Sequence, residues 1–155
     1  MKKKSLQLAL WIAACELAGS IGSVFTAPNI EGWYASLNKP FFTPPNWVFG
    51  PVWITLFCLM GIAAYLVWES KSKLKKEALC YFGGQFCLNV LWSLLFFGLR
   101  SPLYGLICIV LLWFAILLTI IKFKKVDKIA AWLLVPYLAW VTVATALNAA
   151  VWMLN

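Results

Sequence analysis

Three stretches of this chain set aromatic, amide and hydroxyl side chains at helical spacing inside otherwise apolar sequence. Gln85, Asn89, Trp92, Ser93 and Phe96 fall at i, i+4, i+7, i+8 and i+11, a periodicity that puts them on one face of a helix. Trp140, Ala144, Leu147, Asn148 and Val151 repeat the pattern, and Phe49, Trp53, Phe57 and Met60 give a third, more aromatic face. Small Ala144 beside Trp140 leaves room instead of filling it. Apolar walls with a few polar anchors are the make-up of a small-molecule cavity. Indole and phenyl faces stack on flat conjugated ligands, so a tetrapyrrole or a planar drug suits such a space. Taken singly, Asn89 and Asn148 have an equally good reading as interhelical hydrogen-bond partners.

The residues for other chemistry are missing. The chain contains no histidine, which removes an imidazole ligand for haem or zinc and any Ser/His relay. Glu31, Glu69, Glu77 and Asp127 lie at or between the ends of apolar runs, so no carboxylate pair is available for acid–base work. Only Glu16 falls mid-run. An ionisable group there is a functional hypothesis by default: it could couple protons to export of a small molecule, or stay neutral and hydrogen-bonded between helices. Cys15, Cys58, Cys80, Cys87 and Cys108 all sit in apolar sequence without a CxxC pair, and read as small apolar fillers and not a disulfide framework. Neither a metal nor a cofactor is expected.

The elements that must carry these faces follow from composition. Of 155 residues, 64% are hydrophobic and 12% charged, with a mean hydropathy of +0.88. About 20 apolar residues cross a bilayer core as a helix, and most of the chain is used up by such crossings. The fold class expected is an all-α integral membrane protein, one domain (1–155) forming a five-transmembrane-helix bundle. Its spans are placed at about 6–27, 46–69, 78–99, 103–123 and 128–154. The first run starts basic like a signal peptide but is longer and carries Glu16, so a retained span is expected. Cys15, Gly19 and Ser23 form a small-residue ridge on it that suits close helix packing.

Pro28, Pro40, Pro44 and Pro45, with Asn29, Gly32 and Asn38, predict a break in helix over 28–45. That segment is rich in Trp33, Tyr34, Phe41 and Phe42, and reads either as an interfacial aromatic belt or as a lid over a cavity. Pro51 predicts a kink or a delayed start in the second span, and Asp127 an N-cap for the fifth. Eleven of the thirteen basic residues lie at the amino terminus and in the second and fourth loops; only Lys39 and Arg100 lie in the others. The positive-inside rule then puts the amino terminus in the cytoplasm and the carboxyl terminus outside. The basic residues form no stripe interleaved with aromatics, so nucleic acid is not an expected partner.

The sequence WYASLNKPFFTPPNWVFGPVW, from Trp33 to Trp53, closely resembles the tryptophan-rich sensory protein and translocator protein family, also called peripheral benzodiazepine receptors. GQFCLNVLWSLLFFG (Gly84–Gly98) and PYLAWVTVATALNAAVW (Pro136–Trp152) agree with it in order and position. The resemblance implies a five-helix bundle, usually a homodimer, with one cavity per subunit closed by the first loop. It also implies binding of porphyrins such as protoporphyrin IX and of isoquinoline and benzodiazepine drugs. By this resemblance Tyr34, Pro44, Phe49, Trp53, Phe57, Asn89, Trp92, Ser93, Trp140, Ala144 and Leu147 line the cavity. Trp53 and Trp140 match tryptophans associated with light- or oxidant-dependent porphyrin breakdown. The mitochondrial cholesterol motif is absent: Asn148 is followed by Ala149 and Ala150, and no Lys or Arg follows, which argues against sterol and for a prokaryotic member.

The function expected is thus that of a membrane receptor or carrier for porphyrins and planar hydrophobic drugs, with a role in stress or tetrapyrrole regulation. Three rivals stand beside it: a porphyrin-degrading enzyme working through Trp53 and Trp140, a proton-coupled exporter using Glu16, and a purely structural dimer.

Overall fold

The computed structural model describes residues 2–155. Helix α1 (Lys2–Asn29) runs on through a wider π-type turn, Ile30–Tyr34. It is followed by α2 (Asn46–Glu69), α3 (Lys75–Ser93, closing in a second π turn, Leu94–Gly98), α4 (Pro102–Lys124), α5 (Lys128–Leu133) and α6 (Val135–Leu154). The π turns extend α1 and α3, and α5 and α6 together make one broken span. Five segments are therefore long and apolar enough to cross a bilayer: Lys3–Tyr34, Asn46–Glu69, Lys75–Gly98, Pro102–Lys124 and Lys128–Leu154. Side chains such as Leu10, Leu17, Ile107, Leu111, Phe114 and Ile121 point outward, as a lipid-facing surface requires when backbone polar groups are satisfied inside each helix.

The first span is longer than its sequence predicts. Pro28 lies inside α1 and does not end it. A proline removes one backbone donor and displaces a carbonyl, but side chains and a local π adjustment can take up the freed groups. Here the helix widens at Ile30–Tyr34, and carbonyls to either side of Val24, the one Pro28 leaves without its N–H, accept from side chains: Phe25 O from the Asn29 amide (2.9 Å) and Gly22 O from the Thr26 hydroxyl (3.2 Å). The true connection is therefore 37–45. There the Lys39 ammonium folds back onto the carbonyls of Tyr34 (2.8 Å), Leu37 (3.0 Å) and Ala35 (3.3 Å), and lies 4.9 Å from the Tyr34 ring centre, a cation closing the carbonyl end of a helix. Asn38 and Asn155 clasp each other: Asn38 N donates to Asn155 Oδ1 and Asn155 Nδ2 to Asn38 O, both at 2.9 Å. Pro51 likewise sits within α2, which starts at Asn46 without delay.

Sharp turns occur where the sequence places them. Arg100 takes a left-handed conformation (φ 52°) between α3 and α4. Its guanidinium donates to Asn29 Oδ1 at 3.0 Å, tying this turn to α1. Ser101 caps α4 by accepting from Tyr104 N, with Pro102 in the first turn. Asp127 caps α5 by accepting from Ala130 N at 2.8 Å.

The two halves of the bundle differ in solidity. At the end bearing the basic loops, Met60, Ala63, Ala64 and Val67 of α2 interlock with Ile109, Leu112, Ile116 and Phe123 of α4 and Tyr137 and Val141 of α6, all at most 1% exposed. Gly61 lets α1 come within backbone contact, since a Cβ there would lie 2.6 Å from Ile12 Cα. Ion pairs Lys4–Glu69 (2.9 Å) and Lys122–Glu77 bracket the same end. The other half is held open.

Candidate ligand-binding cavity

A cavity of about 570 Å³ lies between α1, α2, α3 and α6 in that open half, within the range of roughly 300–1,000 Å³ usual for small-molecule sites. Its α2 wall is Phe49, Trp53 and Phe57; the last two rings stack 5.5 Å apart with 25° between planes. Opposite stand Asn89, Trp92, Ser93 and Phe96, where Trp92 and Phe96 stack at 5.5 Å and 22°. Helix α6 contributes Ala144, Leu147, Asn148 and Val151, whose modest side chains leave the aromatic faces uncovered. Ile30 and Tyr34 cover the outer end, and the Tyr34 and Trp33 rings pack on Phe96 and Phe97 at 5.4–6.4 Å.

The buried amides separate by role. Asn148 is spent on structure: its Oδ1 accepts from Trp92 Nε1 (3.1 Å) and its Nδ2 donates to Pro102 O (2.7 Å). That pair fixes the plane of the Trp92 indole. Asn89 is only half used. Its Nδ2 donates to Tyr137 Oη (2.8 Å), which donates its single proton to Gln85 Oε1 (2.9 Å). Because Tyr137 has already given its hydrogen, it can only accept from Asn89. The Asn89 carbonyl oxygen is thereby left without a protein partner among the described residues, on a side chain that lines the cavity. The Ser93 hydroxyl lines it likewise, opposite Gly22, where a Cβ would come 2.9 Å from Ser93 Oγ.

Nine of the residues expected at the site are brought together here: Tyr34, Phe49, Trp53, Phe57, Asn89, Trp92, Ser93, Ala144 and Leu147. Two are not on the lining. Pro44 lies in the connection before α2. Trp140 packs against Phe49, with ring centres 5.7 Å apart and planes at 69°, and its Nε1 is buried without a hydrogen-bond partner among the described residues. Of the expected 28–45 lid, Ile30 and Tyr34 reach the cavity. They do so, with Ala27, from the extended first helix, while Phe41 and Phe42 point into the surroundings.

An entire wall is new. Glu16, Gly19, Ser20, Gly22, Ser23 and Thr26 of α1 line the cavity. The signal for it was the ridge of small residues, whose lack of bulk reads equally as close packing. Both occur: a Cβ on Gly19 would meet the Phe57 ring at 2.4 Å, while the serines beside it face the space.

Comparison with known proteins gives a consistent result. A profile of the TspO/MBR family matches residues 11–153. The chain is 47% identical over 150 residues to the tryptophan-rich protein TspO of Archaeoglobus fulgidus, covering 97% of each chain. It is 46% identical to the protein of the same name from Chlorobaculum tepidum, covering 100% of this chain and 99% of the relative. It is 39% identical over 151 residues to the translocator protein of Homo sapiens, covering 92% and 89%.

Proposed function

The chain belongs to the TspO/MBR family, and from that premise we propose that it is a membrane receptor or carrier that binds protoporphyrin-like tetrapyrroles and planar hydrophobic drugs in the cavity between α1, α2, α3 and α6. The observation that carries this reading is the pair of facing aromatic stacks, Trp53–Phe57 and Trp92–Phe96, bordering a space that Ala144 leaves unfilled. A flat conjugated ring gains from stacking and from leaving water, and offset or edge contacts add about 0.5–1.5 kcal/mol per aromatic pair beyond area burial. Titration of the detergent-solubilised protein with protoporphyrin IX, read by tryptophan quenching, tests it. Ala144→Phe is expected to weaken binding at least about tenfold by occupying the space; unchanged affinity refutes the location.

In the same reading the basic end of the bundle faces the cytoplasm, supported by the eleven basic residues gathered there. An impermeant thiol reagent acting on Lys73→Cys, in a chain with its native cysteines replaced, should label from the cytoplasmic side only.

A second reading, light- or oxidant-dependent breakdown of the bound porphyrin, is favoured by the placing of two indoles. Trp53 is in the wall, and Trp140 is one ring removed from it through Phe49. Trp53→Phe and Trp140→Phe should then retain binding and lose product formation. Product appearing at the unmodified rate in both variants counts against the enzyme.

A further inference from the structure

The cavity has a chemically distinct floor. Among the described residues, Glu16 is the only formally charged side chain on its lining, no lysine or arginine joins it there, and no donor bonds its carboxyl. Helices α1 and α3 run in the same direction, and Gly22 stands level with Ser93. Glu16 is six residues below Gly22 and Asn89 four below Ser93, so at 1.5 Å per residue the two lie within roughly 3 Å of the same depth. That depth is roughly 20 Å beneath Ile30 at the covered end. Asn89 offers an oxygen there, because its Nδ2 is held by Tyr137 Oη, whose own proton goes to Gln85 Oε1, while its Oδ1 has no protein partner among the described residues. The floor therefore presents a carboxyl and a carbonyl oxygen, two acceptors, beneath walls of stacked rings.

We propose that this floor is an acceptor subsite that selects flat ligands carrying a protonated nitrogen at their leading edge. The inference rests on the cavity being the ligand site, and adds to it the chemical class preferred. A carboxylate in a low-dielectric site is costly alone and is stabilised by a cation that also donates hydrogen bonds. A nitrogen cation on a planar ring places its charge at Glu16 and an N–H on Asn89 Oδ1 while the ring lies between Trp53 and Trp92. A ligand with carboxylates on one edge meets repulsion at this floor, so a porphyrin of that kind inserts with its acidic edge toward the Tyr34 end.

The test compares two probes of the same three-ring shape: 9-aminoacridine, a cation at neutral pH, and acridine, uncharged at pH 7.5. Binding to the full-length protein in neutral detergent is read by fluorescence, with protoporphyrin IX titrated separately on each variant. The unmodified protein should bind 9-aminoacridine at least about tenfold more tightly than acridine, the worth of one charge-assisted hydrogen bond. Glu16→Gln should erase that ratio by weakening 9-aminoacridine binding at least about tenfold, and Glu16→Asp should keep part of it. Equal affinities in the unmodified protein, or a ratio that survives Glu16→Gln, overturn the acceptor floor when protoporphyrin still binds. Failure of every probe, protoporphyrin included, overturns the cavity as the ligand site and this inference with it.

Discussion

Removing one oxygen atom from the centre of the bundle tests the reasoning about Asn89 most directly. In Tyr137→Phe the ring still fills its place at 1% exposure, but Asn89 Nδ2 and Gln85 Oε1 both lose their partner. Interhelical hydrogen bonds inside membranes average about 0.6 kcal/mol and reach about 1.7, so the loss of two costs roughly 1–3 kcal/mol. Part of that is recoverable, because the Asn89 side chain is released to rotate and can turn its NH₂ toward the cavity. Reversible unfolding of the purified protein by SDS in mixed micelles measures the first effect. A double-mutant cycle with Asn89→Leu isolates the coupling, expected at about 0.5–1.5 kcal/mol. The acridine pair reads the second effect, since an amide donor in place of the oxygen should narrow the preference for the cationic probe. A coupling near zero together with an unaltered preference would show that Tyr137 does not orient Asn89.

Other outcomes follow from single contacts. Gly61→Val forces a side chain into the Ile12 backbone, 2.6 Å from its Cα, so overpacking of at least about 1–3 kcal/mol is expected; loss of monodisperse protein on size-exclusion chromatography is the readout, while the same change at exposed Gly83, with nothing within 4 Å, should be silent. Trp92→Phe removes the indole bond to Asn148 and should cost about 0.6–1.7 kcal/mol in the same SDS assay while loosening protoporphyrin binding. Lys39→Met leaves the carbonyls of Tyr34, Ala35 and Leu37 without their cation, and should speed hydrogen exchange across 30–37 with little change in the rest of the bundle.

Most of the fold is legible in the sequence because span length is a one-dimensional property: an apolar run either reaches across the bilayer or does not. Charges and caps then mark the ends: Ser101, Pro102 and Asp127 do what their types imply, whereas the left-handed turn at Arg100 is one its type does not announce. Pro28 misleads because turn preferences describe a backbone competing for water. In a bilayer the backbone has no water to turn to, so the helix carries on past Pro28 and widens into the π turn at Ile30–Tyr34. Periodicity reveals the site where faces are bulky, which is why the α2, α3 and α6 stripes are visible. The α1 wall is made of small residues, and smallness does not say whether a neighbour or a void lies beyond it. Trp140 keeps the helical register of Ala144 yet misses the lining, and Phe49 from another helix packs against it; no one-dimensional pattern contains that third body.

The uneven solidity of the bundle decides where it can breathe. Exposed ion pairs such as Lys4–Glu69 are screened by solvent and add little, so rigidity at the basic end comes from interlocked side chains with no room to slide. The opposite end is fastened by polar clasps, Asn38 with Asn155 and Arg100 with Asn29, and by one small cluster of rings around Phe96 and Phe97. Movement that admits a guest is expected at the clasped end, where fewer interlocked side chains resist it. A spectroscopic label near Lys73 should therefore stay still when a guest arrives, while one near Asn38 should move.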